Sequence, residues 1–205
     1  MVAKSNPARL ARSARSARIL FGLYALLALP AYGGEPEVTW DERSRALADQ
    51  LMSELKAELG QAMQQGGPVA AVAVCKSRAP EIAARLSASS GAEVKRTAIR
   101  LRNPANAPDD LERAVMQGFA AELSGASPVA SVPPEAIFES RSAQGTERRY
   151  LRAIVMQPVC LACHGATLAP ELATAIVRDY PQDSATGFEP GQLRGAVTVQ
   201  WPVTR

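Results

Sequence analysis

The chain has 205 residues, 47% of them hydrophobic and 21% charged, with a formal net charge of +3 and a sequence pI near 8.9. That length suits one domain of ordinary size, and the apolar fraction suits a packed core, so wholesale disorder is excluded. The chain holds three cysteines and one histidine, His164. Hydrolytic triads, His-cluster metal sites and multi-His relays each need a histidine to spare, so they drop out if His164 is committed elsewhere.

Residues 1–18 carry Lys4, Arg9, Arg12, Arg15 and Arg18 and no acid. The apolar run Ile19 to Leu29 follows, and then Pro30-Ala31-Tyr32-Gly33-Gly34. A basic start, a short apolar stretch and a small-residue end predict a signal peptide over residues 1–33. The run is too short for a membrane span of about 20 residues, and no adjacent arginine pair is present, which points to the general export route. The expected mature chain, residues 34–205, is therefore periplasmic and without a permanent membrane span. Of the 23 Lys+Arg, five leave with the leader, so 18 stand against 20 Asp+Glu, a formal charge of −2. The basic pI belongs to the leader, and nucleic acid has no place as a partner.

Val38 to Gln65 reads as one long amphipathic helix. Leu47, Leu51, Leu55, Leu59 and Met63 recur at four-residue steps, and Gly66-Gly67-Pro68 closes it. A second helical stretch runs from Val69 to Ala88 with a predicted break near Pro80, and Ser89-Ser90-Gly91 ends it. Arg96 to Arg102 alternates, with Thr97, Ile99 and Leu101 on one face and Arg96, Arg100 and Arg102 on the other, which predicts a half-buried strand. Asn103 to Pro108 supplies turn dipeptides. Asp109 and Glu112 then form a capping box for a helix to about Leu123 whose stripe is Leu111, Val115, Phe119 and Leu123. Residues 124–135 read as a loop. Two strands follow, Ala136 to Arg141 and Arg149 to Pro158, with a turn at Gln144-Gly145, and a last strand spans Gly195 to Val203. Helices first and strands mostly later imply an α+β domain with an antiparallel sheet.

Before the last strand stands Cys160-Leu161-Ala162-Cys163-His164, the C-x-x-C-H signal for attachment of c-type haem. Two thiols at this spacing reach the two vinyl groups of one haem, and the adjacent histidine is placed to bind the iron. A thioredoxin-like pair has no use for that histidine, a zinc site lacks ligands, and a disulfide closing so small a loop would leave His164 unexplained. One motif means one haem.

The iron wants a sixth ligand, and no second histidine exists. The candidates are Met52, Met63, Met116, Met156 and Cys75. Methionine is the common partner in cytochromes c. Met52 and Met63, however, lie on or beside the first helix's apolar stripe and read as packing. Met156 stands only four residues from Cys160, close for reaching the opposite haem face, and Met116 stays open. Cys75 is the odd cysteine of an exported chain; spacing leaves it equally a ligand or a small buried hydrophobe beside Val72, Ala73 and Val74.

The segment Val72-Ala73-Val74-Cys75-Lys76-Ser77-Arg78-Ala79-Pro80-Glu81-Ile82-Ala83 resembles a bacterial family of exported haem proteins defined by a domain of unknown function. So do Arg96-Thr97, Arg102 to Asp109, Cys160 to Gly165, Tyr180 to Phe188 and Gly195-Ala196-Val197. The resemblance implies a single c-type haem in a PAS-like α+β fold with cysteine and histidine as axial ligands, which by position are Cys75 and His164. A thiolate donor favours ferric over ferrous iron and so implies a potential below that of a His/Met site. Loosening of the thiolate on reduction would open a position for NO or CO. Among Arg96, Arg100 and Arg102, at most one is expected to meet a haem propionate, and Tyr180 to Gly187 reads as a loop over the haem edge.

The leading expectation is a non-enzymatic periplasmic electron-transfer protein that depends on haem-attachment machinery and a redox partner protein. The alternative is a redox or gas sensor acting by ligand exchange. The absence of a distal histidine makes a peroxidase the weakest reading. With no effector segment evident in the sequence, a carrier is preferred to a sensor.

Overall fold

The computed structural model describes residues 38–125, 132–143 and 145–204, so the expected leader, Gln144 and much of the 124–135 loop lie outside the described residues. The long first helix forms because Thr39 caps it: its hydroxyl accepts from the Glu42 N–H while the Glu42 carboxylate accepts from the Thr39 N–H. This helix, α1 (Trp40–Lys76), is bent at Gly66 and Gly67, where φ is −148° and +65°. Gly67 takes a left-handed conformation that a side chain would strain, and Pro68 begins the second arm. The sequence signal for a stop at Gly66-Gly67-Pro68 is thus realised as a bend.

The next break falls at Ser77, not at Pro80. Helix α2 (Arg78–Ser90) holds Pro80 in its first turn, where the missing N–H has no helical partner to lose. Gly91, at φ 75°, closes α2. The first strand is also displaced from the expected 96–102: β1 spans Glu93–Thr97 and pairs only as far as Thr97 opposite Ala196. Beyond it the Ala98 N–H turns to the Asn106 carbonyl, and residues 98–102 leave the sheet. The alternation of hydrophobicity there was real, but half of it belongs to a connecting segment.

After a 3-10 turn (Pro104–Asn106), α3 (Asp110–Gly125) starts on the expected box, with Asp109 accepting from the Glu112 N–H at 2.8 Å and Glu112 from the Asp109 N–H at 3.1 Å. Its buried face differs from the predicted stripe. Leu111 is exposed, while Glu112 is buried and paired with Lys95 at 3.3 Å. Strands β2 (Glu135–Ser142), β3 (Gly145–Val155) and β4 (Leu193–Thr204) complete an antiparallel sheet in the order β1-β4-β3-β2. The third strand ends at Val155, before Pro158.

The sheet carries apolar layers on both faces. On one, Leu51 and Leu55 of α1 and Ile82 and Leu86 of α2 meet Val94, Tyr150, Val197 and Val199. On the other, Met116 and Phe119 of α3 meet Leu151, Ala153 and Ala196. Polar ties fix α1 to the sheet: Trp201 donates to the buried Ser44 at 2.8 Å, and Arg45 pairs with Glu135, which also accepts from the Tyr150 hydroxyl. Helices α4 (Leu161–His164) and α5 (Pro170–Asp179) lie between β3 and β4 in sequence, and α5 packs Leu172 and Ile176 against Val72 on the second arm of α1. Among the described residues no helix is long and apolar enough to cross a membrane. The α+β class and the long N-terminal helix expected from the sequence are therefore observed.

Candidate functional site

The bend in α1 leaves space between its two arms and the sheet. The resulting cavity has a volume of about 760 Å³; α1, β1, β3 and β4 all line it, and its apolar side chains come mainly from α1 and β3. Cys160, Cys163 and His164 line it from one side, and Cys75 reaches it from the second arm of α1. These four, the residues the sequence singles out, are brought together around one space. All three cysteines are half-buried free thiols.

Of the methionine candidates, Met116 is fully buried in the layer under α3 and Met156 packs with Ala185 and Phe188; neither reaches the cavity. Met52 and Met63, read from the sequence as packing, do line it. The four-residue stripe on α1 serves both the core and the cavity, because the cavity continues the core beyond Leu55 toward the bend.

His164 closes the single turn of α4. Its Nδ1 lies 2.7 Å from the Ala185 carbonyl. A carbonyl can only accept, so Nδ1 carries the hydrogen and Nε2 keeps its lone pair. Burial, with Arg194 and Arg102 nearby, pushes the imidazole down to about 3, so the ring is neutral at physiological pH. A neutral imidazole with one nitrogen held by a carbonyl is the form in which histidine binds a metal. Burial pushes the Cys163 thiol up, against the pull of Arg102.

The segment after α5 holds this arrangement. The Gly187 N–H donates to the Gly165 carbonyl and the Phe188 N–H to the His164 carbonyl, each at 2.9 Å. Gly187 adopts φ +73° to do so. The Phe188 ring stands edge-on to the imidazole at 6.3 Å and is covered on another side by Arg100 at 4.0 Å. The loop expected to cover a haem edge thus braces the histidine.

Two of the three arginines reach the cavity and one does not. Arg102, expected on a solvent face, is buried, pairs with Asp183 and also lines the cavity. Arg100 is exposed. Arg96 lines the cavity, where burial lowers its pKa. Arg194, which the sequence reading missed, lines it too; burial and then the charges of Arg102 and Arg96 bring it down to about 10. Its buried Nε has no hydrogen-bond partner among the described residues. A charge at the start of an apolar strand is ordinary surface chemistry, so no sequence signal marked Arg194.

A four-stranded antiparallel sheet with a bent helix, a large apolar cavity and converging Cys and His donors defines a class of α+β ligand-binding domain. Residues 35–202 match the Tll0287-like family, and the chain belongs to it. Among solved structures it is similar to the cyanobacterial heme-protein Tll0287, with 26% identity and a TM-score of 0.54, over 78% of this chain and 91% of that one. No curated protein matches the sequence.

Proposed function

We propose that the chain is an exported monohaem c-type protein of PAS-like fold that passes single electrons to and from a redox partner. The observation that carries this reading is the convergence of Cys160, Cys163, His164 and Cys75 on one apolar cavity of about 760 Å³. The haem content of the similar cyanobacterial protein supports it. The lining of the cavity also fits the group: apolar walls suit a tetrapyrrole face, and Arg96 and Arg194 provide positive charge for its carboxylates. The unpartnered Nε of Arg194 is a buried donor that such a carboxylate would satisfy.

In this reading Cys160 and Cys163 would hold the haem through thioether bonds, each S–H adding across a vinyl group with its hydrogen going to the neighbouring carbon and no oxidant required. His164 would hold the iron through Nε2, its ring oriented by the Ala185 carbonyl. Cys75, on the second arm of α1, would supply a further donor. Bound haem supplies a one-electron ferric–ferrous couple. A Cys75 thiolate would bias that couple toward ferric iron, and the apolar walls would exclude water. Val159, 77% exposed beside Cys160, brings the attachment segment to the surface, as short-range electron exchange with a partner requires. The leader over residues 1–33 belongs to the same proposal, since c-type haem is attached after export, and the family match begins just beyond it, at residue 35.

A second reading, a redox or gas sensor working by ligand exchange, is favoured by Met52 and Met63, which line the cavity with Cys75 and offer replacement donors. Purified protein should keep its haem after acid-acetone treatment; extractable haem overturns covalent attachment. Cys75→Ala should abolish the low-spin thiolate spectrum, and Met116→Ala should leave it unchanged. The reverse result overturns the ligand assignment. A titration repeated under NO or CO separates the two readings: a couple indifferent to gas indicates a carrier, and tight gas binding on reduction indicates a sensor.

A further inference from the structure

The Ala185 carbonyl is shared. It accepts from His164 Nδ1 at 2.7 Å and from Arg102 Nη2 at 3.3 Å. The same Arg102 nitrogen donates to the Cys163 carbonyl at 2.7 Å and to Asp183 Oδ2 at 3.2 Å, while Arg102 Nε donates to Asp183 Oδ1 at 3.1 Å. Asp183 Oδ1 in turn accepts from the Ala185 N–H at 3.0 Å. One buried ion pair, with side chains 7% and 8% exposed, therefore grips both the carbonyl of Cys163 and the peptide units that orient His164.

The shared carbonyl has an electronic consequence. A carbonyl that donates density to Arg102 is a weaker acceptor for the Nδ1–H, and a weaker acceptor leaves the imidazole a poorer electron donor at Nε2. The two charges oppose each other: each member of the buried pair offsets the other's field at a site of low dielectric, so removing one exposes the field of the other.

We propose that Arg102 and Asp183 are positioning residues that set the donor strength of His164 through the Ala185 carbonyl, and with it the potential of the iron. The proposal rests on the reading of His164 as an iron ligand. Losing Arg102 strengthens the Ala185–His164 bond and leaves a bare carboxylate, and both effects favour ferric iron. Losing the Asp183 charge leaves a bare guanidinium, which favours ferrous iron.

The test is a redox titration of haem-loaded wild type, Arg102→Gln, Asp183→Asn and Arg102→Lys, with covalent haem content and far-ultraviolet circular dichroism measured in parallel. Arg102→Gln should lower the potential and Asp183→Asn should raise it. Arg102→Lys, which keeps the charge, should lie closer to wild type than Arg102→Gln. A merely structural brace would loosen the loop in every variant and shift all potentials one way. Shifts of one sign, or no shift in folded and loaded variants, overturn the proposal. If Arg102→Gln does not load, Asp183→Asn and Arg102→Lys decide: a fall or no change in Asp183→Asn, or Arg102→Lys shifted above it, overturns it. A wild type whose ligation survives His164→Ala refutes the ligand reading and this proposal together. Normal His164 ligation without the opposed shifts refutes this proposal alone.

Discussion

His164 and its neighbour Gly165 show how tightly the site is built around single positions. The turn that carries the histidine is one helical turn long, and the Gly165 N–H caps it by donating to the Leu161 carbonyl at 2.8 Å. A Cβ at position 165 would stand 2.6 Å from that same carbonyl oxygen, closer than side-chain carbons approach backbone oxygen. The obstacle is backbone and cannot swing aside. Gly165→Ala should therefore displace the turn, lower the melting temperature and reduce haem loading, as absorbance per protein would report. A fully loaded variant of unchanged melting temperature would contradict the packing argument. The backbone at 165 is extended, so glycine is needed here for space and not for its conformational freedom.

The elements are held by caps and by a few buried charges, and α3 shows both. Asp109 caps the helix, and its carboxylate also pairs with Arg149, a buried residue on β3. Burial raises the Asp109 pKa, but the Glu112 N–H, Arg149 and Lys95 outweigh it and leave the group below its ordinary value. A carboxyl depressed in the folded chain stabilises the fold above its ordinary pKa of about 4 and loses that contribution as acid protonates the native carboxylate. Asp109→Asn should cost about 1 kcal/mol at pH 7, an asparagine still capping but no longer paired. The gap to wild type should close as pH falls below about 4, because the wild-type carboxyl is then neutral as well. Urea midpoints across pH measure this; a gap that persists in acid would place the effect in packing. The cap was legible because it depends on residues three apart, whereas the pairing with Arg149 spans forty positions and was not.

The cavity belongs to the fold taken as one body, since it exists only where two arms of α1, three strands and α4 meet. Its apolar walls are left without packing partners unless a ligand fills them, and unfilled apolar space weakens a core. The two apolar layers on the sheet, however, are built without Cys160 and Cys163: Leu51, Leu86, Tyr150 and Val199 pack on one face and Met116 and Leu151 on the other. The paired substitution Cys160→Ala, Cys163→Ala should therefore yield a chain without covalent haem that keeps its α+β circular dichroism and melts at a lower temperature. Loss of all secondary structure would mean that the layers cannot hold the fold without the cofactor.

Local patterns carried far in this chain. The stripe of α1, the Gly-Gly-Pro bend, the Ser-Ser-Gly stop, the Asp109 box and the three later strands rest on interactions between near neighbours, and so did C-x-x-C-H. Where two local signals competed, position slipped: the break moved from Pro80 to Ser77 because a first-turn proline costs a helix nothing, and β1 began earlier because its register is set by β4. Burial of charge was invisible. Arg96 and Arg102 alternate with apolar residues as surface arginines do, yet both line the cavity, and Arg102 lies buried against Asp183, eighty-one positions away. Arg194, Met52 and Met63 reach the cavity by the same route, through the bend of α1 against the sheet. Residues near in sequence fixed which chemistry the chain can hold. Which distant side chains surround that chemistry depends on long-range packing, whose pairings leave no periodicity in the sequence.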